Sequence, residues 1–254
     1  MSQKNTIIAI FIVFVAALLL SEGEPKEYAH WNYGEDEGPK EWASLDERYH
    51  MCEEGKNQSP INIVNPVDAN LFPLLFQGET KATTFVNNGH TVQVNFSNGN
   101  YLTISGKKYS LKQMHFHTPS ENQINGKSFP MEVHLVHADS YNNLAVIGVM
   151  FEETNDDNIT LNKLLRNLPE LDEDGEKVIE EIKSDVEGYE ILPENKDYYT
   201  FTGSLTTPPC TEGVKWIVMK DPVTISKSQL EDFKKSMPKN NRPIQDINAR
   251  YILD

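Results

Sequence analysis

The stretch TTFVNNGHTVQVNFSNGNYLTISGKKYSLKQMHFHT, Thr83 to Thr118, constrains the fold more than any other part of the chain. Apolar and polar residues alternate along it, and Asn88-Gly89, Asn98-Gly99 and Ser105-Gly106 interrupt the alternation. Period-two patterning describes half-buried strands, and such dipeptides describe tight turns between them. The segment reads as an antiparallel meander.

The same pattern continues in FPMEVHLVHAD and NLAVIGVMFEE, and in YYTFTGSLTTPPCTEGVKWIVMK, where two strands flank a Thr-Pro-Pro loop. Helical period is confined to ITLNKLLRNLPEL, with Leu161, Leu164, Leu165 and Leu168 on one face, to GEKVIEEIKS and to SKSQLEDFKKSM. The expected class is α+β, mainly β: one domain with a large, central, mostly antiparallel twisted sheet and short peripheral helices. The acidic region from Glu152 to Glu190 contains the leucine stripe, so it reads as a solvated face of that domain and not as a linker.

A formal charge of -15 disfavours nucleic acid and anionic membrane surfaces as partners. The N-terminus carries Lys4 and then an apolar run from Ile7 to Leu20, too short for a comfortable bilayer span. It reads as an export signal, 1–22, ahead of a mature domain, 23–254, with Ser21 and Gly23 the small residues near the cut. No membrane association is expected after its removal. The two cysteines, Cys52 and Cys210, read as a disulfide in an exported chain, with two inert buried thiols as the alternative.

Within LKQMHFHTPSEN, strand alternation aims His115 and His117 at one face beside Gln113, and aims Met114 and Phe116 at the other. In MEVHLVH, Glu132, His134 and Val136 share one face, while Val133, Leu135 and His137 share the opposite one. Antiparallel pairing of the two strands would bring His134 to the first pair. Three neutral imidazoles with an open fourth position form the catalytic zinc arrangement. Gln113 and Glu132 lie two residues from a ligand, where each can hold the second ring nitrogen. A solvent-facing HxH pair is the ordinary alternative, and the third in-phase histidine with its own carboxylate weighs against it. His137, out of phase, is assigned to structure.

Six stretches, CEEGKNQSPINI, FVNNGHTVQV, QMHFHTPSEN, MEVHLVH, NLAVIGVMF and GSLTTPPCTEGVKWIV, occur in an order that resembles the α-class carbonic anhydrases of the bacterial, exported kind. The resemblance runs from HWNYG at His30 to NNRPIQ ending at Gln245. It implies a lyase that interconverts carbon dioxide and bicarbonate on Zn2+ held by His115, His117 and His134, with Gln113 and Glu132 behind the ligands. In that family a zinc-bound hydroxide attacks carbon dioxide. Thr206 matches the threonine that orients it, and Glu121 the buried carboxylate that accepts the threonine's hydrogen bond. The apolar substrate wall maps to Val136, Val146, Leu205, Val214 and Trp216, with Thr207 beside it. His90 matches the proton shuttle, and Tyr33, Asn88 and Gln93 match positions along the ordered-water path, although Gln93 stands where many members have Asn.

Cys52 and Cys210 match the family's extracellular disulfide. Thr118 replaces the Trp that follows the second ligand in animal members, which points to the bacterial branch. The resemblance further implies a periplasmic or secreted location, inhibition by sulfonamides and small anions, and, as in many bacterial members, a homodimer. Two rivals compete with it. A cupin-type iron or manganese protein would use Glu121 as a ligand, but its later glycine spacing fails and GSLTTPP has no role in it. A non-catalytic relative would be expected to have lost a ligand, and none is lost.

Overall fold

The structure is a computed structural model that describes residues 27–166, 168, 178–181 and 185–254. The segment 1–22, read as an export signal, lies outside the described residues. Ser105 and Gly106 adopt φ of 49° and 76°, the left-handed pair that a two-residue hairpin turn demands, and join Tyr101–Ile104 to Lys107–His117. Strand Lys107–His117 is long enough to take two partners on one edge. Its first half pairs with Tyr101–Ile104 and its second half with Val92–Phe96. The Asn98-Gly99 break therefore separates two strands that sit end to end along a common neighbour and not side by side.

On its other edge Lys107–His117 pairs antiparallel with Met131–Ala138, which pairs in turn with Leu144–Thr154. The direction changes there, because Leu144–Thr154 runs parallel to both Glu212–Met219 and Val223–Ser226. Eleven strands of the described residues form this open sheet, from Val178–Glu181 at one edge to Tyr198–Ser204 at the other. Mainly β with short helices is the observed class, and the small closed barrel of the cupin reading is absent from the described residues.

The helical reading of GEKVIEEIKS is corrected in its described part. Val178–Glu181 is an exposed edge strand that pairs antiparallel with Ala82–Asn87. A four-residue Val-Ile-Glu-Glu run satisfies either period, and the unpaired edge of Ala82–Asn87 decides between them. The other two helices form, the first shorter than read: it ends at Leu165, and Leu168 packs on the core from beyond it. Asn158 caps Ile159–Leu165, Ser226 and Gln229 make a reciprocal cap on Lys227–Ser236, and Gln229 also accepts from the Asn158 amide.

Alternation divides the core. Met114, Phe116, Val133 and Leu135 are fully buried in one cluster with Leu161, Leu164, Leu230 and Phe233 of the two helices. Each such side chain contributes about 1.5–3 kcal/mol on burial. Val146, Val214, Trp216 and partly buried Val136 and Leu205 belong to a second cluster. Among the described residues no helix is long and apolar enough to cross a membrane.

Candidate metal centre

The register sets His115 directly opposite His134 and His117 opposite Glu132. Alternation then makes the three rings converge, with centroids 4.5 to 5.2 Å apart. One ring nitrogen from each lies within 4.8 Å of the others, the span of a single ion's ligands.

Each ring is held from behind. Gln113 Oε1 is 2.8 Å from His115 Nδ1, the Asn240 carbonyl is 2.7 Å from His117 Nδ1, and Glu132 Oε1 is 3.0 Å from His134 Nε2. The last contact is close but poorly aligned as a hydrogen bond. An acceptor at one nitrogen fixes the proton there and leaves a lone pair on the other. His117 Nε2 accordingly is buried with no hydrogen-bond partner, a costly state for a polar atom that a bound ion relieves. Burial lowers His115 well below the ordinary histidine value, and His117 and His134 add to the effect. Burial lowers His117 as well, against the opposing Asn240 carbonyl. Both shifts favour the neutral ring, the form that binds a metal.

Glu132 does more than its spacing suggested. It is fully buried, and its Oε2 accepts from the amides of Glu121 and Asn122 while Oε1 accepts from Asn122 Nδ2, all at 2.8 Å. Burial alone would raise its pKa, but His134 and the Asn122 donors together pull it below the ordinary value. Gly148 faces His134 from the next strand, and a Cβ there would stand 2.7 Å from Glu132 Oε1. The glycine leaves the carboxylate its room.

Glu121 lies within the same group, its Oε2 3.5 Å from His117 Nε2 and 3.9 Å from His134 Nδ1. Burial pushes its pKa up to about 7, against His134, the Arg242 amide and Thr206. Thr206 is buried and close enough to act on this carboxyl, but its approach falls short of a hydrogen bond and Oε2 is unpaired. Thr206 and Thr207 sit in a loop closed by Leu205 N to Thr211 O and Cys210 N to Thr207 O, both 2.9 Å.

The apolar wall is contiguous. Val136, Val146 and Trp216 occupy one row across three strands, and the Trp216 ring meets His134 edge-on at 4.8 Å. Val214 and Leu205 join the same cluster. The water-path residues are more dispersed. Gln93 pairs across from His115 and donates to Asn95, while the Asn88 side chain caps the amides of His90 and Thr91. Tyr33 packs between Trp31 and Trp42, and burial, then the Glu121 charge, raises its pKa well above 10. The His90 ring stacks on Trp31 at 3.9 Å, and its hydrogen-bonded link to the triad runs through its carbonyl, which accepts from Asn240 Nδ2. Burial, then His30, lowers the His90 pKa.

Cys52 and Cys210 form a disulfide packed with Trp42 and Tyr49. His137 is buried in the opposite face, between the Leu135 carbonyl and the Tyr189 hydroxyl. Sequence reasoning missed Asn240, Arg242 and Trp31. Asn240 acts on His117 by a backbone carbonyl, which any residue carries, so only its presence in the NNRPIQ stretch marked it.

The family model described as eukaryotic-type carbonic anhydrase matches residues 37–254. A carbonic anhydrase of Neisseria gonorrhoeae is 39% identical over 245 residues, which cover 96% of this chain and 95% of that one. The solved α-carbonic anhydrase of Photobacterium profundum superimposes with a TM-score of 0.83 at 44% identity, covering 89% of this chain and all of that one. The enzyme of Thermovibrio ammonificans, solved with the inhibitor sulfanilamide, matches with the same TM-score and identity, over 89% and 99% of the two chains.

Proposed function

The chain belongs to the eukaryotic-type, or α, carbonic anhydrase family, and from that premise we propose that it hydrates carbon dioxide reversibly on zinc held by His115, His117 and His134. The carrying observation is the triad: three ring nitrogens within 4.8 Å, two of the rings shifted toward the neutral form by burial, each with its far nitrogen against an acceptor. Neutral imidazoles in a group of three fit zinc better than the oxygen-preferring cations. Zinc in such a site supplies a Lewis acid that makes a water nucleophilic near neutral pH, a role for which carbonic anhydrases are themselves the standard example.

Around it the chain's own residues divide the work. Gln113, Glu132 and the Asn240 carbonyl fix the tautomer and aim of the ligand rings. Thr206, through its hydroxyl, orients the attacking oxygen and passes its own proton's hydrogen bond to Glu121. Val136, Val146, Leu205, Val214 and Trp216, with Thr207 at the rim, hold a small uncharged substrate against that oxygen. His90 carries the released proton outward, past Tyr33, Asn88 and Gln93, because an imidazole gains and loses a proton near neutrality.

The disulfide and the apolar segment from Ile7 to Leu20 support an exported protein, periplasmic or secreted, with 1–22 removed. The sulfanilamide complex of the Thermovibrio enzyme supports inhibition by sulfonamides, with small anions as a second class, and a homodimer completes the proposal. The mature protein is expected to hold one zinc per chain and to lose carbon dioxide hydration on chelation. If the zinc-loaded protein hydrates carbon dioxide no faster than His115→Ala, the proposal fails.

A further inference from the structure

The Thr206 and Glu121 roles require a threonine and a carboxylate from distant parts of the chain to meet at one distance. Glu121 rides on the segment after strand Lys107–His117 and is fixed by two hydrogen bonds, one donated and one accepted. Its amide goes to Glu132, and its Oε1 accepts from the backbone amide of Arg242 at 2.8 Å. Thr206 rides on the loop that carries Cys210. Among the described residues, none of the main sheet's pairings joins these two segments directly.

A buried polar chain does. The Arg242 side chain, 1% exposed, donates from Nη1 to Gln58 Oε1 and to the Ser59 carbonyl, both at 2.8 Å, and from Nη2 to the Cys52 carbonyl at 2.7 Å. Gln58, 3% exposed, returns its amide nitrogen to the Cys210 carbonyl at 3.0 Å and to Glu212 Oε1 at 3.1 Å. Those two acceptors lie near the end of the Thr206 loop and at the first residue of the strand that leaves it. Removing a guanidinium from water costs several kcal/mol, and here its hydrogen bonds go to carbonyl-type oxygens and to no carboxylate among the described residues. Such a group is expensive as a mere core filler. It makes sense as a fork that sets the spacing of the chains it bridges.

We infer that Arg242 and Gln58 are positioning residues that brace the Thr206 loop against Glu121, through the path Glu121, Arg242, Gln58, Cys210. The inference rests on the proposed roles of Thr206 and Glu121. The disulfide from Cys52 to Cys210 runs alongside this path, since Arg242 holds the Cys52 carbonyl and Gln58 the Cys210 carbonyl. A misplacement of about 1 Å in such a pair costs up to about a hundredfold in rate.

Gln58→Leu keeps the volume and cuts the path at its centre. In the zinc-loaded enzyme it is expected to lower kcat/KM for carbon dioxide hydration about tenfold. The zinc dissociation constant, measured by chelator competition, is expected to stay within about threefold, because no ligand's outer partner is touched. Arg242→Lys keeps the charge but not the fork and is expected to behave alike; if it does not fold, Gln58→Leu decides alone. The test of mechanism is a double-mutant cycle: on a Thr206→Ala background, Gln58→Leu should cost less than about twofold more. Additive losses, a kcat/KM left within about twofold by Gln58→Leu, or zinc affinity falling in step with activity each overturn the brace. A Thr206→Ala enzyme with full kcat/KM instead removes the underlying role of Thr206, and is told apart by that single variant.

Discussion

Strands Lys107–His117 and Met131–Ala138 present two faces built on the same backbone and opposite in chemistry. One face buries Met114, Phe116, Val133 and Leu135 against two helices, with no exposed surface left on any of them. The other gathers three imidazoles, an amide and a carboxylate, with an orphaned nitrogen at His117 Nε2. Apolar packing makes the first face a source of stability. The second holds polar groups at a cost that the first must offset. The geometry of the site is therefore only as rigid as the core beneath it, and adjacent residues in the chain should report different quantities.

Phe116 and His117 are the sharpest such pair. Phe116→Ala opens a cavity between the sheet and Phe233 and is expected to cost about 3–5 kcal/mol of stability, read by denaturant unfolding of the zinc-free protein. His117→Ala removes a proposed zinc ligand, so the loss of hydration activity should exceed the roughly 100-fold that outer partners of a metal cost. It should cost the zinc-free protein much less than Phe116→Ala does. Equal destabilisation by the two variants would show that the faces are not separable.

His134 and His137 carry the same contrast three residues apart. His134 faces the triad, whereas His137 is enclosed by the Leu135 carbonyl and Tyr189, and burial lowers its pKa to about 4 despite carbonyl bonds that oppose the shift. An unfolded histidine titrates near 6.5, so between these two values the unfolded chain binds the extra proton. The stability linked to neutral His137 is complete above about pH 6.5, is lost as pH falls toward about 4, and amounts to about 3 kcal/mol at most. In unfolding measurements on the zinc-free protein, His137→Leu should flatten the pH dependence across this window by up to about one proton. An unchanged slope would place the acid sensitivity elsewhere.

That contrast also explains what the sequence made legible. Beyond the bulge at Lys112, period two assigns the residues of these strands to a face, so His115, His117 and His134, their partners Gln113 and Glu132, and the exclusion of His137 all follow from counting. The Ser105-Gly106 turn follows from its dipeptide. Three things resist counting. Asn240 reaches His117 by a backbone carbonyl and Arg242 reaches Glu121 by a backbone amide, for which no side chain is diagnostic, and the partners of the Arg242 fork are set by the tertiary fold. Val178–Glu181 is a strand because an edge awaited it, which is a tertiary fact. Val92–Phe96 and Tyr101–Ile104 share a partner because Lys107–His117 is long, and local turn chemistry is silent about that.

Within the polar face itself, the two outer partners differ in depth, and the smallest effect is expected at the shallower one. Glu132 is fully buried and organises Glu121 and Asn122 as well as His134, so its loss would disturb a whole segment. Gln113 is partly exposed and holds only the His115 ring, the ligand that is itself partly open. Gln113→Leu removes that acceptor and frees the ring to turn, while packing against His117 and His134 still confines it. Zinc affinity is expected to fall about tenfold, the low end for an outer partner, and hydration at saturating zinc to stay close to the parent's. Chelator competition measures the first quantity and initial rates at saturating zinc the second. An affinity unchanged by the substitution would mean that packing alone aims His115, and that the amide two residues away is incidental.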